Sequence, residues 1–380
     1  MQKTRAQSTN LPDKHSRTRE FWRQFRKNRL AIAGLAVFVL FFLLAISSLF
    51  LTKGPDPVLK PNQIRLPDKL QPPLSTPDSG ELRKEQLPPL GIYLFGTDNL
   101  GRDVFARMLE GAWISLTVGF VAVGISVLLG ILMGGIAGYF GNRIVSFNNI
   151  LQGFSVLFAC TLIFYSYLVF GVICLLVSLV YFLYRKHIIF PREKKKDPLA
   201  KLDTVGIAVD TIIMRFVDIM LCFPSFFLIL TVIALLPPSI YNIMVVIGIT
   251  SWMAPARLVR AEFLSLREQD FVTAANALGV SNKRIIFQHM LPNAIAPVLV
   301  SATIGVAMAI LTEAGLSFLG FGVPPPQATW GNILSQGKRF LFDAPWLTLI
   351  PGTAILVVVL AFNLFGEGLR DTLNPKLNQE

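Results

Sequence analysis

Charge is what this chain has least of. Only 15% of its 380 residues are Asp, Glu, Lys or Arg, whereas 53% are hydrophobic, and the mean hydropathy is +0.57. A water-soluble domain needs a largely polar surface, so this composition excludes a single soluble core and requires lipid to cover much of the molecule. Cysteine is scarce too. Cys160, Cys174 and Cys222 lie in apolar stretches without metal spacing, which disfavours a disulfide framework or a zinc site and leaves them as small hydrophobes. The three histidines, His15, His187 and His289, fall in polar or flanking segments and no H-E-x-x-H occurs, so an intramembrane protease lacks its ligands. Acidic residues are outnumbered, 23 against 35 basic, for a net charge of +12. The basic side chains crowd the edges of hydrophobic runs instead of alternating with aromatics on a polar domain. The excess therefore reads as membrane topology and not as a nucleic-acid surface. No catalytic residue, metal or cofactor is expected.

What is abundant is long apolar runs. A basic tail, residues 1–29, carries Arg17, Arg19, Arg23, Arg26, Lys27 and Arg29 up to the edge of a run over 30–51. About 22 residues at ~1.5 Å rise cover a hydrocarbon core of roughly 30 Å. A cleaved signal peptide would have a shorter apolar region and a small-residue cleavage site, so a retained anchor is expected, with the tail in the cytoplasm. Residues 52–112 are Pro-rich and charge-balanced and are assigned to the outside. Further spans are expected over 114–137, 216–236, 241–258, 295–319 and 347–365. A charged loop over 259–293, an outer loop over 320–346 and a cytoplasmic tail over 368–380 complete the plan. Within the second span Gly130, Gly134 and Gly138 recur every four residues, a spacing that lets a neighbouring helix approach closely.

Residues 144–184 form an apolar stretch followed by a basic loop, 185–208, containing Lys194, Lys195 and Lys196. If the tail and the 259–293 loop are both cytoplasmic, an even number of spans must separate them. Two short helices with a turn near Tyr165, Ser166 and Tyr167 satisfy that parity, giving eight spans; one long tilted helix would invert the topology.

The charged loop holds Arg267, Glu268, Gln269, Asp270, Phe271, Val272, Thr273, Ala274, Ala275, Asn276, Ala277, Leu278 and Gly279, and ends at His289, Met290, Leu291, Pro292 and Asn293. It reads as helix, glycine stop, helix: Gly279 supplies a left-handed position, Ser281 or Asn282 caps the next helix, and Pro292 interrupts its end. The alanines leave a slim helix face that can lie in another protein's groove. This stretch resembles the EAA loop of ABC importer permeases. Ala274, Ala275, Gly279, Leu291 and Pro292 fall on that pattern, while Thr273 stands in place of Glu and His289 in place of Ile. Arg267, Glu268 or Asp270 are the charged substitutes for the missing Glu. A second stretch, Gly96, Thr97, Asp98, Gly101, Arg102, Asp103 and Arg107, is similar to the GTDxxGRDxxSR segment of C-type dipeptide, oligopeptide and nickel permeases, with Ala106 in place of Ser. Met214–Asp218 followed by Pro224, and Glu313–Gly322, also look like that family. Arg215 and Asp218, one turn apart, are expected to pair. The resemblance covers 30–51, 96–141 and about 209 onward; the interval 142–208 departs from it.

The resemblance implies an all-α integral membrane protein with the type I ABC importer permease bundle, six core spans plus an inserted two-helix hairpin. It implies a B-type permease partner, two cytoplasmic ABC ATPases, an external substrate-binding protein, membrane lipid and no nucleic acid. The expected location is the bacterial inner membrane with both termini cytoplasmic. Glu313, ionisable within a span, and Trp330, in the outer loop, are candidates for contact with the translocation pathway. The segment Gly331–Arg339 only superficially resembles a phosphate loop, because five residues separate its glycines and Arg339 stands where Ser or Thr must hold magnesium. A secondary transporter would need paired broken helices and midplane carboxylates, for which Glu313 alone is thin support.

Overall fold

The computed structural model describes residues 14–54, 57–78, 87–146 and 206–373, with isolated positions between 152 and 178. Its described core is a helical bundle. Helix α1 (Lys14–Phe25) leads through a short turn into α2 (Arg29–Thr52), whose N-terminus is capped by Asn28 accepting from the Ala31 amide at 3.1 Å. Sequence hydropathy located the run in α2 but not the amphipathic helix before it. Helix α3 (Val104–Phe140) begins well before the apolar run at 114 because Asp103 accepts from the Phe105 amide at 2.9 Å as its N-cap.

Glycine spacing decides how α3 packs. A Cβ on Gly130 would stand 2.5 Å from Pro255 Cβ, one on Gly138 2.5 Å from Phe263 Cβ, and one on Gly134 would meet the Ala256 carbonyl. The stripe is therefore a helix–helix seam, and its partner is α7 (Met253–Arg267).

Two expected spans are bent. Residues 216–236 resolve into α4 (Val209–Leu221) and α5 (Ser225–Leu235), which meet at 83°. The cause is Pro224, which lacks an amide hydrogen and pushes its predecessor away from helical geometry. The run at 241 becomes α6 (Ile240–Ser251) and α7, bent by 41° at Trp252 and continuing as helix to Arg267. Among the described residues, four helices are long and apolar enough to cross a membrane, or up to six spans if each bent pair is one. After α8 (Asp270–Ala277) come α9 (Asn282–Phe318), α10 (Trp330–Gly337) and α11 (Trp346–Leu373).

Val118, Ala122, Ile243, Ile247, Ala307, Ile310 and Phe362 meet in the core. Outward, Leu40, Leu43, Leu128, Leu132, Leu356 and Leu360 are exposed, an apolar surface suited to lipid and not to water. The expected pair of Arg215 with Asp218 does not form. Asp218 instead accepts from Arg257 of α7 at 2.6 Å.

The hairpin expected over 144–184 and the basic loop over 185–208 lie outside the described residues except at their ends. Those ends form a two-stranded antiparallel neck, β1 (Ile144–Ser146) and β2 (Gly206–Ala208), with Ile144 opposite Ala208 and Ser146 opposite Gly206. Next to it the Val209 amide donates to the Arg143 carbonyl at 3.0 Å, and Asp210 forms a two-pronged ion pair with Arg260 of α7. Gly206 is required where it stands, since a Cβ there would strike Ile144 and approach Val145 O to 2.8 Å.

Candidate functional site

Helix α8 stands on a small core of its own. Val272 and Ala275 point inward and pack with Val259, Phe263, Ile285, Met290, Ala294 and Val298. The face flanking them leaves Phe271, Ala274 and Leu278 in solvent, with Leu278 84% exposed. Positions i, i+3 and i+7 lie on one side of a helix, so this is a continuous apolar strip on a fixed support. The helix covers Asp270–Ala277, not Arg267–Gly279: Arg267 closes α7, Glu268 caps it, and Gln269 occupies the N-cap of α8. Gly279 adopts φ +74, with its amide donating to Asn276 O at 3.0 Å and the Val280 amide to Ala275 O at 3.1 Å. That pair of bonds is a Schellman closure, and it is the stop the glycine predicted.

Of the charged residues proposed around α8, Glu268 and Asp270 are exposed and Arg267 is half-buried; Arg267 and Glu268 approach each other at 3.4 Å, and the Thr273 hydroxyl turns back to the Asp270 carbonyl at 2.9 Å. Ser281 takes the next N-cap position without a side-chain bond. Pro292 does not end the following helix. Residues Ile285–Met290 are π-helical, and the wider turn lets α9 run unbroken through Leu291 and Pro292, where a regular helix would lack the proline amide. The Tyr139 hydroxyl donates to Asn282 Oδ1 at 2.9 Å, tying this arm to the end of α3.

The second motif builds a lock at the other end of α3. Gly96 and Gly101 have φ +75 and +70; a Cβ on the first would sit 2.5 Å from Gln71 O and 2.8 Å from Trp346 Nε1, and one on the second would collide with Arg65 O. Thr97 donates to Asp68 O at 2.5 Å and accepts from the Gln71 amide at 2.8 Å. Asp98 takes the Leu100 and Arg102 amides and Arg102 Nε at 2.7 Å, with buried Arg107 at 3.5 Å. Arg102 reaches on to Gln336 of α10 at 3.0 Å, and Trp346 Nε1 donates to Thr97 O at 3.3 Å. The motif thus fastens the segment before α3 to α10 and α11. Burial, and a hydrogen bond to Asp68 at 2.6 Å, push the Tyr93 hydroxyl pKa up; burial likewise raises that of Asp103.

Glu313 and Trp330 are both buried, at 0% and 1% exposure. Ser317 donates to Glu313 Oε1 at 2.7 Å, while Trp330 donates its backbone amide to Ser115 Oγ at 3.3 Å and its indole N–H to Met108 O at 3.1 Å. They join α3, α9 and α10. Neither opens into the hydroxyl-bearing cavity of the bundle. That cavity, about 270 Å³, lies between α3, α5, α6, α7 and α9, and Ser126, Ser225, Ser251, Ser301 and Thr312 give it polar groups. Sequence reasoning passed over it. The available signal was Ser301, Gly305, Met308 and Thr312 on one face of α9.

Known proteins agree with this architecture. Residues 204–379 match the family described as binding-protein-dependent transport system inner membrane component, and residues 16–73 match the N-terminal TM domain of oligopeptide transport permease C. The dipeptide transport system permease protein DppC of Alkalihalophilus pseudofirmus is 36% identical over 359 residues, spanning 94% of this chain and 90% of that protein. The di/tripeptide permease DppC of Pseudomonas aeruginosa is 33% identical over 359 residues, 94% and 92% of the two chains. The oligopeptide permease OppC of Bacillus subtilis is 31% identical over 356 residues, 94% and 88%. The chain belongs to this family of dipeptide and oligopeptide transport permeases, on its C-type branch, and is the multi-pass membrane component of an ABC importer.

Proposed function

We propose that this chain forms one half of a translocation pathway for peptides or similar small solutes and receives the force of ATP hydrolysis through α8. The observation that carries the proposal is the exposed strip Phe271, Ala274 and Leu278 on a helix whose flanking face is anchored in a private core. Such a helix can move as a unit with α7 and α9 when pushed. Its partners are two cytoplasmic ABC ATPases. A B-type permease subunit supplies the other half of the pathway, facing the hydroxyl-lined cavity, and an external binding protein delivers the substrate. The chain contributes no catalytic group; hydrolysis belongs to the ATPases. Both termini and the α8 arm face the cytoplasm of a bacterium across its inner membrane.

Six core spans follow if α4–α5 and α6–α7 each cross once. The β1–β2 neck brings the two ends of the 147–205 interval side by side, which supports the proposal of an inserted two-helix hairpin there. Leu278→Cys, in a chain without native cysteines, tests the arrangement. A membrane-impermeant thiol reagent modifies it from the cytoplasmic side only, and assembly with the ATPases protects it. Modification from outside, or equal modification with and without ATPases, sinks the reading.

A further inference from the structure

Helices α2 and α11 touch closely at one end and part at the other. Near the start of α2, a Cβ on Gly34 would lie 2.8 Å from Ala361 O, and one on Gly368 would strike Ala31. Small residues there permit backbone contact. Toward the end of α2 the facing residues are large, and a cavity of about 450 Å³ opens between the helices. Its walls include Phe41 and Leu44 of α2, Ala112 of α3, Trp330 of α10, and Leu349 and Ala354 of α11. Apart from Thr353 and the Trp330 indole, which already donates to Met108 O, no lining side chain offers a hydrogen-bonding N or O.

Two facts identify the occupant. Leu44, Leu349 and Thr353 are solvent-exposed at the rim, on helices that span the membrane, so the mouth opens to lipid. Water has almost no polar partners inside, and an empty space of this size forfeits dispersion contacts along every wall. Lys53 follows Thr52 at the outer end of α2, nine residues beyond Leu44, or about 13 Å along the helix. A cation at that height stands at the level of a phosphate headgroup.

We propose that this cavity is a lipid site: one acyl chain of an outer-leaflet phospholipid enters between α2 and α11 and rests on Trp330, with its phosphate at Lys53. The proposal rests on the membrane placement of this chain but not on its coupling to ATPases. It shares no lining residue with the hydroxyl-bearing cavity. Trp330 is otherwise shielded, so only an inserted chain brings a quencher to it.

The assembled transporter in liposomes of dibromo-acyl phospholipid provides the test, with Trp330→Phe subtracted to isolate one indole. Trp330 emission is lost in brominated lipid relative to unbrominated lipid, and Ala354→Phe or, more gently, Ala112→Leu restores it. Lys53→Gln raises the mole fraction of brominated anionic lipid needed for half the loss. Absence of quenching in the assembled complex overturns the proposal. Quenching that persists in both filling variants also overturns it, and an unchanged Lys53→Gln titration removes the headgroup contact. Peptide uptake is measured in parallel: its loss with quenching intact would strike the transport reading and leave the lipid site standing.

Discussion

Substitution of Gly279 separates backbone strain from every other effect, because a Cβ at this position meets nothing within 4 Å. Alanine there changes only the cost of holding φ +74, which for a side-chain-bearing residue is about 1–2 kcal/mol. Escape by rearranging the loop forfeits the Gly279–Asn276 and Val280–Ala275 hydrogen bonds, each worth roughly 0.5–1.5 kcal/mol net, so the two routes cost about the same. Local opening of the α8 C-terminus is therefore favoured by about 1–2 kcal/mol, equivalent to roughly a 5–30-fold change in an equilibrium. Hydrogen exchange at the Val280 and Gly279 amides reads that opening directly. Gly279→Ala accelerates exchange by that factor, Gly279→Asn by less because Asn tolerates the left-handed region, and Gly279→Pro abolishes the closure and ATPase docking together. Wild-type protection in the alanine variant, or an asparagine variant as labile as alanine, would refute the reasoning.

Gly134→Val drives a side chain into the Ala256 carbonyl and costs about 1–3 kcal/mol by overpacking, seen as a lower thermal midpoint; Gly124→Val, where a Cβ meets open space, leaves it unchanged. Tyr93 has its pKa raised on folding, so its contribution is complete below the ordinary tyrosine value near ~10 and is lost as pH rises past it. Limited proteolysis of the outer segment should accelerate above that pH in the wild type, and Tyr93→Phe should show no such step. Replacing residues 147–205 by Asn-Gly joins Ser146 to Gly206 in a two-residue hairpin, the connection that suits an antiparallel pair. The shortened chain is expected to insert and assemble; failure to assemble would show that the bundle depends on the insertion.

Sequence revealed most where one residue type has one physical consequence. Gly279 had to end a helix, and the glycines of α3 had to meet another helix; both follow from local stereochemistry. Hydropathy located the cores of the spans but not their ends, because helix limits depend on caps such as Asp103 and on breaks such as Pro224. Pro292 misled for a related reason: a π-helical turn accommodates a proline that ordinary helix geometry rejects. Asp218 was assigned a neighbour in sequence, whereas its partner is Arg257 on another helix, a long-range contact that local spacing does not reveal. Phe271 and Leu278 carried no signal as an exposed pair, since exposure is fixed by what packs on the flanking face. The outer motif could be recognised as a pattern, yet its work as a lock between Arg65, Gln336 and Trp346 is wholly long-range.

The most direct test of the coupling role is ATP-driven peptide uptake by the complete complex in liposomes, comparing wild type with Phe271→Asp/Leu278→Asp. Both side chains are exposed, so the chain should still insert and retain the Val272–Ala275 packing. Uptake and substrate-stimulated ATP hydrolysis should fall together to background. Uptake at the wild-type rate in the double variant would contradict the assignment of α8 as the arm through which the ATPases drive transport.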